Sequence, residues 1–285
     1  MSGTPYARRV WQLLETLHAV TYFADECRTA NREVGLRGFW MGYFAARSAP
    51  LGAVDPAVVT ATFANFSPDM VARSLPDAWT HATPAAVLEA RASSAAAALR
   101  RAAPGIDAVA DRALPLLGKV AEAAAPAGRP LFAANRAVST SEDPVAALWQ
   151  SATTLREHRG DGHVACLVTA ALDGCGIHVL FAASTGTPPA LLRDNRGWTH
   201  EDWAAATARL EQQGLVAGGT TTPAGDAVRA GIEARTDELA GAPYAALTEP
   251  ERKELLGLLR PAAAAVVAAD VIPFPNPMGL PRPGA

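Results

Sequence analysis

The stretch of sequence that decides the fold is RLEQQGLV (residues 209–216), together with TPAGDAVR (residues 222–229) shortly after it. The first stretch predicts a helix that ends near Gly214, because glycine readily adopts the left-handed conformation that closes helices. The second predicts the start of another helix, since Thr222 can cap it and Pro223 suits its first turn. The residues between them, 215–222, predict a very short hairpin. The pattern therefore predicts a helix, a small β wing and a second helix in succession.

Residues 198–240 resemble the winged helix-turn-helix lobe of MarR-type regulators, on the stretches just quoted and on WTHEDW (residues 198–203). In this resemblance, residues 198–203 begin the recognition helix, and residues 209–216 end it and enter the wing. Residues 222–225 then lead into a dimerisation-type helix. The whole chain also resembles an actinobacterial family of winged-helix proteins of about this length. The resemblance implies a mainly α fold and, in the MarR class, binding to DNA.

The charge of the predicted recognition helix departs from the MarR pattern. The helix begins with His200, Glu201 and Asp202, its single arginine is Arg209, and the wing AGGT (217–220) carries no charge. The formal net charge of the chain is −3. Because DNA binding depends on positive charge that neutralises phosphates, this composition disfavours it. If DNA binding is retained, the candidate contact residues are Thr199, His200 and Arg209.

Two pairs of matching dipeptides suggest that the chain is built from two halves. Trp11-Gln12 and Trp149-Gln150 each open a predicted helix, and Thr83-Pro84 and Thr222-Pro223 each begin a longer one at nearly the same offset. An internal duplication would make one chain a pseudo-dimer of winged-helix-like halves. Chance matches in an Ala-rich chain are the alternative.

The predicted fold class is mainly α, with two winged-helix-like helical halves and a small β wing in the second. Helical periodicity predicts an amphipathic helix over 5–33 and a buried helix over 39–48. The predicted segments are an N-terminal winged-helix-like half (1–104), a bridging helix and linker (105–143), a C-terminal MarR-like winged-helix half (144–245), and a C-terminal helix with a proline-rich tail (246–285).

The densest polar cluster is REHRGDGH (residues 156–163), in which six of the eight residues can carry charge. We interpret 159–162 as a tight turn between helices over about 144–158 and 163–173, because Gly160 and Gly162 permit sharp backbone turns. Converging imidazoles could transfer protons or ligate a metal, and guanidiniums could hold a carboxylate or a phosphate. The alternative is a solvent-facing turn held by Arg–Asp pairs. The candidate catalytic residues are His158, Asp161 and His163, and the candidate ligand-binding residues are Arg156 and Arg159.

A second candidate site lies on the predicted first helix, where polar side chains recur every three or four residues and so share one face. A carboxylate, an imidazole and a phenol at the edge of the core could line a binding site. A similar stripe around the helix 39–48 could form the opposite wall. The alternative is a set of core-edge residues with satisfied polar tips. The candidate catalytic residues are His18 and Tyr22, the candidate ligand-binding residues are Glu15, Arg37, Trp40 and Tyr43, and the stripes also contain Asp25 and Arg47.

If the two halves pair, both candidate sites face one central cavity. Replacing His18 or His163 by alanine would then abolish ligand binding without unfolding the protein.

Several classes of protein lack support in the sequence. The three cysteines, Cys27, Cys166 and Cys175, are too few and too scattered for a disulfide framework or a closed zinc site. There is no glycine-rich phosphate loop and no nucleophile elbow. No cofactor can therefore be named, and metal binding stays open. No secretory signal and no apolar run of about 20 residues occurs, so we expect a cytoplasmic protein without a membrane partner.

Three functional hypotheses remain. The first is a small-molecule-binding protein with a His/Arg-lined site between the halves, a class that includes enzymes of specialised metabolism. The second is a MarR-like, ligand-responsive DNA-binding transcriptional regulator. The third is a non-catalytic interaction protein. The sequence does not decide whether the chain is an enzyme, or whether it is a monomer or a homodimer.

Overall fold

The computed structural model describes residues 5–276 and 278–282. As the sequence predicts, the fold is mainly α with one small antiparallel hairpin. The N-terminal helices are α1 (Tyr6–His18), α2 (Val20–Phe23), α3 (Asp25–Glu33), α4 (Gly38–Ser48), α5 (Pro56–Phe63), α6 (Pro68–Ala72), α7 (Ala78–His81), α8 (Pro84–Ala102), α9 (Ile106–Ala123) and α10 (Pro130–Arg136). The later elements are α11 (Pro144–Thr169), α12 (Gly174–Thr185), α13 (Pro189–Asp194), α14 (His200–Gln212), β1 (Val216–Ala217), β2 (Thr220–Thr221), α15 (Pro223–Gly241) and α16 (Glu249–Ala268).

Helix starts follow the capping signals in the sequence. The side chains of Thr83, Thr199 and Thr222 each accept a hydrogen bond from a backbone N–H in the first turn of the following helix. Thr199 and Asp202 form a reciprocal capping box, which satisfies donors that a helix start otherwise leaves unpaired. These starts are predictable because capping is a local interaction.

The prediction of one helix over 5–33 is wrong. The chain bends at Ala19 and turns sharply at Ala24, whose backbone is extended with ψ of 141°, so α1, α2 and α3 are separate helices. Both alanines are buried. The packing of three short helices against the core therefore overrides the helical tendency of the local sequence.

The predicted turn at 159–162 is also wrong, because α11 runs without interruption through it. Gly162 serves close packing instead: a Cβ atom built on it would lie 2.5 Å from Nη1 of Arg129. The Arg129 guanidinium crosses the helix there and donates a hydrogen bond to the carbonyl oxygen of His158. The glycine therefore admits a side chain from the loop before α10, a helix that the sequence did not reveal.

Among the residues that the structure describes, three hydrophobic clusters form the core. The central cluster joins α1, α8, α9, α11 and α16 around the fully buried Trp149. A second cluster lies among α4–α8, and a third holds α12, α14, α15 and the hairpin together. The central cluster draws residues from all four predicted segments. The proposed segment boundaries and the internal duplication stay predictions.

The third cluster supports a winged helix-turn-helix lobe. In its wing, Val216 pairs with Thr221 and Ala217 with Thr220. The wing lies directly on the start of α15, where Gly225 is buried against the backbone carbonyl of Leu215, which leaves no room for a Cβ atom. This glycine therefore permits the close approach of wing and helix on which the lobe depends.

The turn between α13 and α14 docks onto the N-terminal part of the chain. The N–H of Ser67 donates to the carbonyl oxygen of Arg196 at 2.9 Å, and Nε1 of Trp198 donates to the carbonyl oxygen of Asn65 at 3.2 Å. His178 bonds the same Asn65 oxygen through Nε2 at 2.9 Å. These contacts fix the lobe against the loop between α5 and α6.

Within residues 5–276 and 278–282, no single helix is both long enough and apolar enough to cross a membrane. Helices α11 and α12 reach that length and hydropathy only together, across a bend of 93°.

Candidate functional site

A cavity of about 120 Å³ lies among α1–α4, α8, α10 and α11. Much of its wall is aromatic, from Tyr22, Phe39, Tyr43 and Trp149. Phe39 is 44% exposed and lies against Tyr43, with ring centroids 6.4 Å apart, whereas Trp149 is fully buried. The cavity thus extends from the surface at α4 to the central core.

His18, Tyr22 and Thr153 form a hydrogen-bonded chain in the cavity wall. The hydroxyl of Thr153 donates to the carbonyl oxygen of Trp149 at 2.9 Å, so its lone pairs accept from Nδ1–H of His18, also at 2.9 Å. Nε2 of His18 is then an acceptor, and the hydroxyl of Tyr22 donates to it at 2.9 Å. The hydrogen-bond network thus assigns a single tautomer to His18.

The titration of this chain is shifted toward its neutral forms. Burial, reinforced by the nearby charge of Arg156, lowers the pKa of His18 well below its usual value. Burial also raises the pKa of the Tyr22 phenol. His18 is therefore neutral at physiological pH and polarises the Tyr22 hydroxyl as an acceptor.

A buried ion network lies behind the Tyr22–His18 pair. Nε and Nη2 of Arg47 donate to the two carboxylate oxygens of Glu157 at 2.9 and 3.1 Å. Arg156 donates to Glu157 at 2.7 Å and to Glu15 at 3.1 Å. Burial alone would raise the pKa of Glu157, but Arg156 and Arg47 outweigh it and lower the pKa to about 2. Glu157 is therefore a fixed negative charge rather than a proton donor.

Arg91 lines the same cavity and is held by neutral groups. Its guanidinium donates to the carbonyl oxygen of Ala46 at 2.8 Å, to Oδ1 of Asn135 at 3.0 Å and to Oε1 of Gln150 at 2.9 Å. Its Nε–H has no hydrogen-bond partner among the described residues, and the side chain is 4% exposed. Burial lowers the pKa of Arg91 to about 10, which still leaves it charged at neutral pH.

The structure brings together only some of the residues that the sequence singled out. His18, Tyr22 and Tyr43 line the cavity, and Glu15 is connected to it through Arg156. Trp40 does not line the cavity but packs on Tyr43, with ring centroids 5.7 Å apart. Arg37 is exposed outside the cavity.

The cluster 156–163 spreads around α11, because successive residues of a helix point about 100° apart, and only Arg156, His158 and Arg159 line a common cavity, which is much smaller than the first. His158 packs edge-on against the ring of Phe132, and Asp161 accepts a hydrogen bond from the N–H of Phe132 at 2.9 Å. His163 bonds Oγ1 of Thr236 at 3.0 Å. None of these three predicted catalytic residues lines the main cavity.

Arg159 belongs to an ion network on another side of α11. It donates to Oδ1 of Asp237 at 3.2 Å and lies over the ring of Trp11, 4.3 Å from its centroid. Arg8 donates to the same Asp237 at 2.7 Å. This arrangement joins α1, α11 and α15, and ligand binding by Arg159 stays a prediction.

The DNA-contact candidates lie on the first and last turns of α14 and at its cap. Thr199 and His200 are exposed, and the Arg209 guanidinium is paired with the carboxylate of Asp173. The exposed residues of α14 include Glu201, Glu211 and several alanines, and its one arginine, Arg209, is exposed but paired with Asp173. The described part of this helix therefore presents little positive charge.

Sequence reasoning missed Arg91, Trp149 and Thr153 as parts of the site. Arg91 has a local signal, since it stands alone among alanines and serines in RASSAAAA (residues 91–98), on a helix expected to pack. Its acceptors Ala46, Asn135 and Gln150 come from three distant segments, which no local pattern reveals.

Within the described residues, no group of three or more His, Cys, Asp or Glu side chains could hold a metal ion.

The structure thus consists of a helix-turn-helix lobe joined to a helical body that has its own cavity. The chain belongs to a helix-turn-helix family, whose sequence pattern matches residues 7–273. No curated protein and no solved structure matches the chain significantly.

Proposed function

We propose that the chain binds a small organic molecule in the cavity among α1–α4, α8, α10 and α11. The observation that carries the proposal is the cavity itself, which has a volume of about 120 Å³ and largely aromatic walls. Protein interiors are close-packed, and an engineered apolar cavity of about 150 Å³ in another protein binds benzene. The volume and the aromatic walls therefore suit a ligand built on one ring.

If the bound molecule is a substrate, the Tyr22–His18 pair is the group that would transfer a proton. The phenol donates to a neutral imidazole at 2.9 Å, and both side chains line the cavity. Glu157 would not share this role, because its pKa of about 2 keeps it ionised. A catalytic role remains part of the proposal, since binding alone would use the same walls.

One-ring probes are expected to bind the full-length chain, and a cavity-filling substitution is expected to abolish that binding. Benzamide and phenol would be tested by ligand-observed NMR. Ala46 is buried in the cavity wall, so Ala46→Leu places three more carbons there and should weaken binding by more than about tenfold. Ala208→Leu, on the exposed face of α14, is the matched control and should bind as the unmodified protein does. No binding of any probe to the unmodified protein would contradict the proposal.

The family membership favours a second candidate, a MarR-like DNA-binding regulator. Against it stand the acidic start of α14, the uncharged wing and the pairing of Arg209 with Asp173. A mobility-shift assay near 50 mM salt, where phosphate contacts are strong, tests it with the gene's upstream region and a random duplex. A salt-sensitive shift of the upstream fragment alone would support the regulator, and no shift at this salt would exclude it.

A further inference from the structure

The buried charges around the cavity do not balance. Arg47, Arg91 and Arg156 carry positive charge, and Glu15 and Glu157 carry negative charge. His18 adds no charge, because its pKa lies well below the usual value. These five side chains therefore carry one more positive charge than negative charge, and a buried charge without a partner is costly in a protein interior.

The uncompensated charge belongs to Arg91. Both carboxylates are engaged by Arg47 and Arg156, and no ion pair of Arg91 exists among the described residues. Its three acceptors are amide and backbone carbonyl oxygens. A guanidinium forms its strongest hydrogen bonds with a carboxylate, often two in parallel. The site thus supplies the cation of such a pair without its anion.

The remaining charged residues of the cavity wall favour a negatively charged ligand. Arg28 and Arg32 of α3 also line the cavity, and Glu157 is the only acidic residue among its described lining. Arg28 pairs with Asp25, but Arg32 has only the hydroxyl of Thr29 as its hydrogen-bond acceptor among the described residues. Positive charge along an approach route attracts anions and raises their local concentration.

We propose that the ligand of this cavity is an organic carboxylate with a flat apolar body, whose carboxylate pairs with Arg91 while its body lies between the aromatic walls. The proposal rests on the proposed function and adds the chemical class of the ligand. Trp149 could contact the flat body of the ligand while its carboxylate binds Arg91, because Trp149 lines the cavity and its ring centroid lies 5.3 Å from the Arg91 guanidinium.

Benzoate and benzamide test the proposal, because they have nearly the same shape and differ in charge. Their dissociation constants would be measured on the full-length chain at pH 7.5 by calorimetry. Benzoate is expected to bind the unmodified protein about tenfold to a hundredfold more tightly than benzamide. In Arg91→Met, this preference should fall to about onefold, while benzamide binding is kept.

Arg73→Met removes the same charge from an exposed arginine just after α6 and should keep the full preference. If Arg91→Met does not fold, Arg91→Lys replaces it in the test. Arg91→Lys retains the charge and should keep a preference for benzoate. Equal binding of benzoate and benzamide by the unmodified protein would overturn the carboxylate proposal and leave the proposed function standing. Failure of both probes would count against the proposed function itself. A preference that survives in folded Arg91→Met would remove Arg91 from the role.

Discussion

Replacing Glu157 by glutamine is expected to lower the free energy of unfolding by about 3–5 kcal/mol, the usual cost of removing one partner from a buried ion pair. Glu157 is fully buried and accepts hydrogen bonds from both Arg47 and Arg156. Glutamine nearly preserves its shape but removes its charge, so Arg47 would lose its carboxylate partner among the described residues and Arg156 would keep only Glu15. Urea unfolding, followed by circular dichroism, measures the loss.

Glu211→Gln is the matched control for this prediction. Glu211 is exposed on α14 and forms no ion pair with a described residue, so its replacement should change stability by less than about 0.5 kcal/mol. The double variant Glu157→Gln with Arg47→Met should lose less than the sum of the single losses, because it removes both members of one pair. A loss below about 1 kcal/mol for Glu157→Gln would contradict the importance assigned to this network.

Acidification is expected to destabilise the protein steeply between about pH 6.5 and pH 4. Burial, with the charges of Arg129 and Arg196 respectively, lowers the pKa of His158 and of His178 to about 4. Burial likewise lowers the pKa of His18 and His163. Since an unfolded histidine has a pKa near 6.5, the unfolded chain binds more protons in this window.

One group opposes this trend. Burial raises the pKa of Asp161 to about 6, so its protonation stabilises the native state as the pH falls through that value. Even with this offset, unfolding near pH 5 should take up about two protons, a loss of about 3 kcal/mol per pH unit. Glu157 adds to the loss only below about pH 4.5, because its native pKa is about 2.

The pH dependence is tested by urea unfolding at half-unit steps from pH 4 to pH 8. His158→Phe should reduce the slope of the unfolding free energy against pH near pH 5 by about one proton, because it removes one buried histidine that titrates only in the unfolded chain. Phenylalanine can replace the ring of His158, which packs edge-on against Phe132. His200→Phe, at an exposed position of α14, should leave the slope unchanged. A flat stability between pH 6.5 and pH 5 would contradict the neutral, buried state of these histidines.

The sequence predicts those parts of the fold that depend on neighbouring residues. Thr199 and Thr222 cap their helices, and Gly214 with its positive φ of 71° closes α14, so the wing falls where expected. The bend at Ala24 and the straight course of α11 through Gly162 were not predictable. Ala24 is buried in the core, and Gly162 packs against Arg129 from a distant segment, so both features depend on contacts that form only in the folded chain.

The candidate site likewise has parts that the sequence predicts and parts that only the folded structure reveals. The stripe on the first helix placed His18 and Tyr22 on one face, and the structure puts both on the cavity. Convergence of the side chains of the polar cluster 156–163 requires a tight turn. Because these residues are helical, their side chains spread around the axis of α11. Arg47 and Glu157 are 110 residues apart in the chain, so their pairing exists only after folding.

The unbroken course of α11 also determines how the molecule can be divided. Its first half supplies Trp149 and Leu155 to the central cluster, and its last turns supply Cys166 and Leu167 to the core of the winged lobe. One continuous helix of 26 residues therefore contributes side chains to both cores. Grafting this helix-turn-helix lobe onto another protein would therefore require transferring α11 with it.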